Sequence, residues 1–143
     1  MKYKSELGSL NDILKNCIFA FKELCSINKE IKEGVQRLNP GKDAQKRVLF
    51  NRVLRDYLIV RVYNLFDPSE KTISLLTTVF KNHKRILEIQ QEDIIKKIIE
   101  NRCNFVAHFN KKVRSNIIAE DLCKSNLGNL LSELFNIVNL YKI

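Results

Sequence analysis

The chain has 143 residues, 45% of them hydrophobic, the usual size of one domain and enough to bury roughly two thirds of the surface its unfolded form exposes. Four glycines, two prolines and no tryptophan leave few of the turns that a many-stranded protein needs, so helices are favoured. Lys and Arg number 25 against 16 Asp and Glu, and the net charge of +9 admits an acidic polymer as a partner, although a basic surface also serves solubility alone.

The first residues are positively charged, but Glu6, Asp12 and Lys15 interrupt any apolar run that could act as a secretion signal. A cytoplasmic location is expected. From Leu10 the apolar positions Leu14, Cys17, Phe21, Leu24, Ile31, Val35 and Leu38 follow steps of four and three, with Asn28 as the one polar member. This is the seam of a long amphipathic helix, which Asn39-Pro40-Gly41 brings to an end. Cys17 and Cys25 share that helix, where eight residues rise about 12 Å, too far for a disulfide. With Cys103 and Cys123 they form no metal-type spacing and read as small apolar residues of a reducing compartment.

A second helix is predicted from about Asp43 to Phe66, with Leu54, Leu58, Arg61 and Leu65 on one side and Val48, Ile59 and Phe66 on another. Being apolar nearly all round, it is expected at the centre of the bundle. Its most apolar stretch, Tyr57 to Phe66, is broken by Arg61 and far shorter than the ~20 residues of a membrane span, so no membrane is expected as a partner. Asp67-Pro68-Ser69 makes a turn, and Ser69 is suited to cap a short third helix through Ile73, Leu76 and Phe80.

The polar stretch from Lys81 to Arg85, with His83 reading as a solvated loop histidine, leads into helical material that is periodic from Glu92 to about His108. Phe109 to Asn116 reads as a basic loop, and a last helix, roughly Ala119 to Tyr141, turns Leu127, Leu130, Leu131, Leu134, Val138 and Tyr141 toward the core. The expected fold is an all-α, up-and-down bundle of four long helices and one short one, in a single domain spanning residues 1–143. No glycine-rich phosphate loop, HExxH or GxSxG motif supports P-loop, metalloprotease or serine hydrolase chemistry, and no cofactor or metal is expected.

Arg102 is the anomaly in this pattern. At about 100° per residue it falls in the middle of the arc formed by Ile94, Ile95, Ile98, Ile99, Phe105, Val106 and Phe109, where a leucine belongs. A guanidinium there calls for a carboxylate partner, an interface or a cleft that receives an anion. On the adjoining face Asn101, Asn104 and His108 recur at steps of three and four, so Asn104 is placed to orient the His108 imidazole. One helix carries Arg102 and His108 on different faces; two copies meeting across a twofold axis would bring them together.

The segment Asn101-Arg102-Cys103-Asn104-Phe105-Val106-Ala107-His108-Phe109-Asn110 resembles the RxxxxxH signature of the HEPN superfamily (higher eukaryotes and prokaryotes nucleotide-binding). Asn64-Leu65-Phe66-Asp67-Pro68 followed by Thr72-Ile73-Ser74-Leu75 is similar to the helix-turn-helix upstream of that signature in HEPN proteins related to abortive infection. The resemblance implies a HEPN-like bundle and a homodimer in which both copies of Arg102 and His108 line a cleft and cleave RNA without metal, as in a toxin or antiviral effector held by a cognate antitoxin. Asn104 would position His108; Asn101 and Arg61 would hold the RNA backbone; Asn110, Lys111, Lys112 and Arg114 would extend that grip. Cys103 follows the arginine where many members carry Asn, Asp or His. Two other readings stand beside this one. One is a non-catalytic HEPN-like module for RNA, nucleotide or a protein partner, and the other a structural helical dimer. For Arg61 the structural alternative is an ion pair with Asp67 or Glu100.

Overall fold

The computed structural model describes residues 2–34, 42–103 and 117–141. Six helices are present among them: α1 (Lys2–Gly34), α2 (Lys42–Leu65), α3 (Lys84–Gln90), α4 (Asp93–Asn101), α5 (Ala119–Lys124) and α6 (Leu127–Asn139). No strand occurs among the described residues, and the protein is an all-α helical bundle. No helix among them is long and apolar enough to cross a membrane.

The α1 seam packs as its spacing predicts. Leu10, Leu14, Cys17 and Leu24 are fully buried, and Ala20 joins them from the same face. Asn28 and Ile31 are half-buried, whereas Val35, Leu38 and the Asn39-Pro40-Gly41 stop lie outside the described residues. A helix of 33 residues is about 50 Å long, enough for α1 to pack on α2, α5 and α6. The close fit with α6 shows at Gly128, where a Cβ would stand 2.6 Å from the Phe21 ring.

Helix α2 departs from its expected role as the central helix. Leu58, Ile59, Val62, Leu65 and Phe66 are buried against α1, α4 and α5, but Val48, Leu49, Phe50 and Val53 are exposed. On the helical wheel the buried set centres about 160° from Lys46, Leu49, Phe50 and Val53. In the first half of α2 the side facing the core carries Arg47, Asn51 and Arg55 instead. The apolar face therefore changes sides along the helix, which in sequence looks like a helix apolar all round.

Residues 67–83 form a string of turns and no regular third helix. The polar side chains there capture backbone groups that a helix would need. Asp67 Oδ1 accepts from the Ser69 N–H at 2.9 Å and Oδ2 from the Thr72 hydroxyl at 3.2 Å. The fully buried Ser74 donates its hydroxyl to the Asp67 carbonyl at 2.6 Å, and Thr77 donates to the Thr72 carbonyl at 2.6 Å. Leu75 and Phe80 still reach the core, while Ile73 stays exposed. His83 is exposed as expected, and its Nδ1 also caps α3 by accepting from the Ile86 N–H.

Two of the expected long helices are each divided. Gln91 and Glu92 separate α3 from α4, and Ser125 and Asn126 separate α5 from α6. Ser125 makes the second break itself, donating to the Leu122 carbonyl at 2.6 Å and accepting from the Leu127 N–H. The expected α6 core residues, Leu127, Leu130, Leu131, Leu134 and Val138, are buried. Tyr141 is 42% exposed, with its ring edge-on to Phe80 at 5.2 Å.

Candidate functional site

Ile94, Ile95 and Ile98 anchor one face of α4 in the core, and this fixes the direction of the residues that end the helix. Asn101 comes three positions after Ile98 and falls within the same buried arc. It is 6% exposed, and its Oδ1 has no hydrogen-bond partner. The polar stripe expected to run through Asn101 thus begins inside the bundle, because the Ile94 and Ile98 side of α4 draws the amide inward.

Arg102 and Cys103 leave α4 in a wider, π-type turn. Arg102 is half-buried, with its guanidinium carbon 4.6 Å from the centroid of the Tyr63 ring on the last turn of α2. Its Nε is buried without a hydrogen-bond acceptor. Among the described residues no carboxylate pairs with it, so an aromatic face takes the place of the acid that an arginine in an apolar stripe calls for. The guanidinium lies over the ring face, and its forked N–H groups are donors of the kind that suits a phosphate.

Tyr63 also meets Cys103 and lies close to Asp67. Burial pushes the phenol above its ordinary range, Cys103 and Asp67 add to the rise, and the Arg102 charge opposes it. Tyr63 accordingly stays neutral near pH 7 and serves as a platform and a hydrogen-bonding group. The four residues Tyr63, Asp67, Arg102 and Cys103 thus gather where the last turns of α2 and α4 meet.

Arg61 does not join this group. At about 100° per residue it lies roughly 160° around α2 from Tyr63. Its guanidinium stands 5.6 Å from the centroid of Tyr57, and its charge acts on Cys17 of α1. It is exposed instead of occupying the apolar stripe. His108, Asn104, Asn110, Lys111, Lys112 and Arg114 lie outside the described residues.

Tyr63 is the participant that sequence reading misses. Periodicity marks it only as one more apolar position near the end of α2. Its distance from Arg102 of 39 positions gives no hint of contact, and the one signal available is the unpaired Arg102 itself, which requires some partner.

No family model matches the chain, and no solved structure matches it. In an alignment of 136 positions that covers 87% of the chain, it is 24% identical to an RNA replication protein of Sclerotinia sclerotiorum debilitation-associated virus. The chain spans 8% of the length of that viral protein.

Proposed function

We propose that the chain is a HEPN-type helical module that acts on RNA, with Arg102 as the group that receives a phosphate and His108 as the group that moves a proton. The observation that carries this reading is Arg102 itself: stacked on Tyr63, with a buried Nε that has no acceptor. A buried donor left unpaired costs about 1–3 kcal/mol, and an incoming anionic oxygen would relieve that cost. The likeness to a viral RNA replication protein favours RNA over a mononucleotide as the ligand.

In the catalytic form of the proposal two copies of the chain contribute Arg102 and His108 to one cleft. His108 takes the proton of a ribose 2′-hydroxyl, and the oxygen attacks the adjacent phosphorus. The P–O5′ bond breaks as Arg102 offsets the charge on the equatorial oxygens, and the departing O5′ is protonated. The products are a 2′,3′-cyclic phosphate and a 5′-hydroxyl. No metal is required.

The test is cleavage of end-labelled RNA in EDTA by the wild-type chain, Arg102→Ala and His108→Ala. Cleavage that yields a cyclic phosphate and is lost in both variants supports the proposal; equal cleavage in all three refutes it. A specific observation favours a second, non-catalytic reading: Asn101 is buried and Cys103 is half-buried close to Tyr63, so the residues flanking the arginine are committed to packing. That reading expects RNA binding that depends on Arg102, without turnover.

A further inference from the structure

The first half of α2 presents its apolar residues to solvent. Leu49 is 63% exposed, and Phe50 and Val53 are each 51% exposed. With Ile27 of α1 they line a shallow groove of about 430 Å³, rimmed by Lys46 and Arg47. On the wheel Lys46, Leu49, Phe50 and Val53 fall within about 100° of arc, between Arg47 on one flank and Arg52 on the other. The half-buried Tyr57 and Val60 prolong the stripe to about 20 Å, or four helical turns.

This face is not a stray product of a weakly amphipathic helix. The opposite, core-facing side of the same segment carries Arg47, Asn51 and Arg55, and the Asn51 Nδ2 is buried without a partner. Turning the segment to bury Leu49, Phe50 and Val53 in the chain's own core would require a break in α2, which is continuous over 24 residues. The apolar stripe is thus held outward by the same helix whose second half is fixed in the core.

Charge selects the occupant. Arg47 pairs with Glu30 at 3.6 Å and Arg55 with Asp56 at 3.0 Å, which leaves Lys46 and Arg52 without an ion pair among the described residues. A second copy meeting this stripe across a twofold axis would set both cations against themselves, in a chain of net charge +9. RNA would be drawn to the cations but has no use for Leu49, Phe50 and Val53 packed as a groove. We infer that the groove on α1 and the first half of α2 docks an acidic amphipathic helix of a partner protein, its apolar ridge on Leu49, Phe50 and Val53 and its carboxylates on Lys46 and Arg52.

The experiment uses the full chain and three labelled synthetic helical peptides: leucines at i, i+4, i+7 and i+11 on a glutamate-rich background, the same stripe on a lysine-rich background, and a scrambled glutamate-rich peptide. Fluorescence anisotropy is expected to show saturable binding of the first and at least about tenfold weaker binding of the other two. Leu49→Ser with Phe50→Ser should weaken the first peptide by about tenfold or more without changing the protein's charge. Lys46→Glu with Arg52→Glu should reverse the preference between the acidic and basic stripes. Both double variants alter exposed side chains, and unchanged circular dichroism melts show that they remain folded.

Equal affinity for the acidic and scrambled peptides would overturn the inference, as would indifference to the serine variant. So would a concentration-dependent dimer of the free chain, in sedimentation, that the serine variant abolishes. Displacement of the acidic peptide by a uridine oligomer whose own binding requires Leu49 and Phe50 would overturn it in favour of nucleic acid.

Discussion

The guanidinium carbon of Arg102 lies 4.6 Å from the centroid of the Tyr63 ring, joining the last turn of α2 to the end of α4 across 39 positions of sequence. A cation on a ring is worth about 0.5–2 kcal/mol. It also holds the guanidinium beside the last turn of α2.

Under the proposed function, Tyr63→Leu should therefore weaken RNA binding, by about 3- to 30-fold if most of the energy of the cation on the ring is transmitted. Tyr63→Phe keeps the ring and gives up only the hydroxyl, so its affinity should stay within about threefold of wild type. Anisotropy with a labelled single-stranded RNA separates the two. Equal losses would show that the hydroxyl and not the ring positions Arg102.

Glu120 is flanked by Lys124 at 2.8 Å and by Lys32, and hydrogen bonds from Lys124 first and Lys32 second hold its carboxyl at about 2. A carboxyl lowered on folding contributes stability that is present above its unfolded pKa, near 4.5, and is lost as pH falls toward 2. The melting temperature should thus fall over that window, and less steeply in Glu120→Gln. Carbon-detected NMR titration should place the Glu120 midpoint below those of the other glutamates, and added salt should raise it because the group is exposed.

Gly128→Ala sets two effects against each other. Alanine gains about 1 kcal/mol of helix propensity over glycine, but its Cβ would meet Phe21 Cε1 at 2.6 Å. Overpacking typically costs about 1–3 kcal/mol, so a net loss of about 1 kcal/mol is expected in chemical denaturation. Phe21→Leu in the same chain should make the alanine neutral or stabilising. If Gly128→Ala alone raised the denaturation midpoint, the α1–α6 contact would be looser than the structure shows.

Burial pushes the Cys17 thiol up to about 12, with the Arg61 charge opposing the shift. At pH 8 only about one molecule in ten thousand would carry the Cys17 thiolate, so iodoacetamide should spare it in the folded chain and modify it in denaturant. Cys123 is likewise raised to about 12, chiefly by burial, with the neighbouring Cys25 thiol adding to the rise. Mass spectrometry of the labelled peptides checks both. Rapid labelling of Cys17 under native conditions would place it at a surface.

Much of the architecture was legible from periodicity. The α1 seam, the α6 core positions and the helical class follow from spacing alone, because a 3.6-residue repeat marks the buried face wherever one face is buried throughout. It failed where local polar groups or a change of face intervened. Ser69 suggested a helix cap, but Asp67, Ser74 and Thr77 together satisfy the backbone as turns. Helix α2 suggested a central element because its two apolar faces, one for the core and one for solvent, add up to an apolar circumference.

The same division holds at the candidate site. Helical spacing alone marks Arg102 as out of place in an apolar stripe, since a permanent charge at that position needs compensation in any fold. Packing settled what compensates it, because the meeting of the ends of α2 and α4 depends on how two helices lie together. It decided too that Asn101 turns inward and that Arg61 faces α1. Each of these is a direction in space set by packing against other helices, and one helix's own spacing cannot encode it.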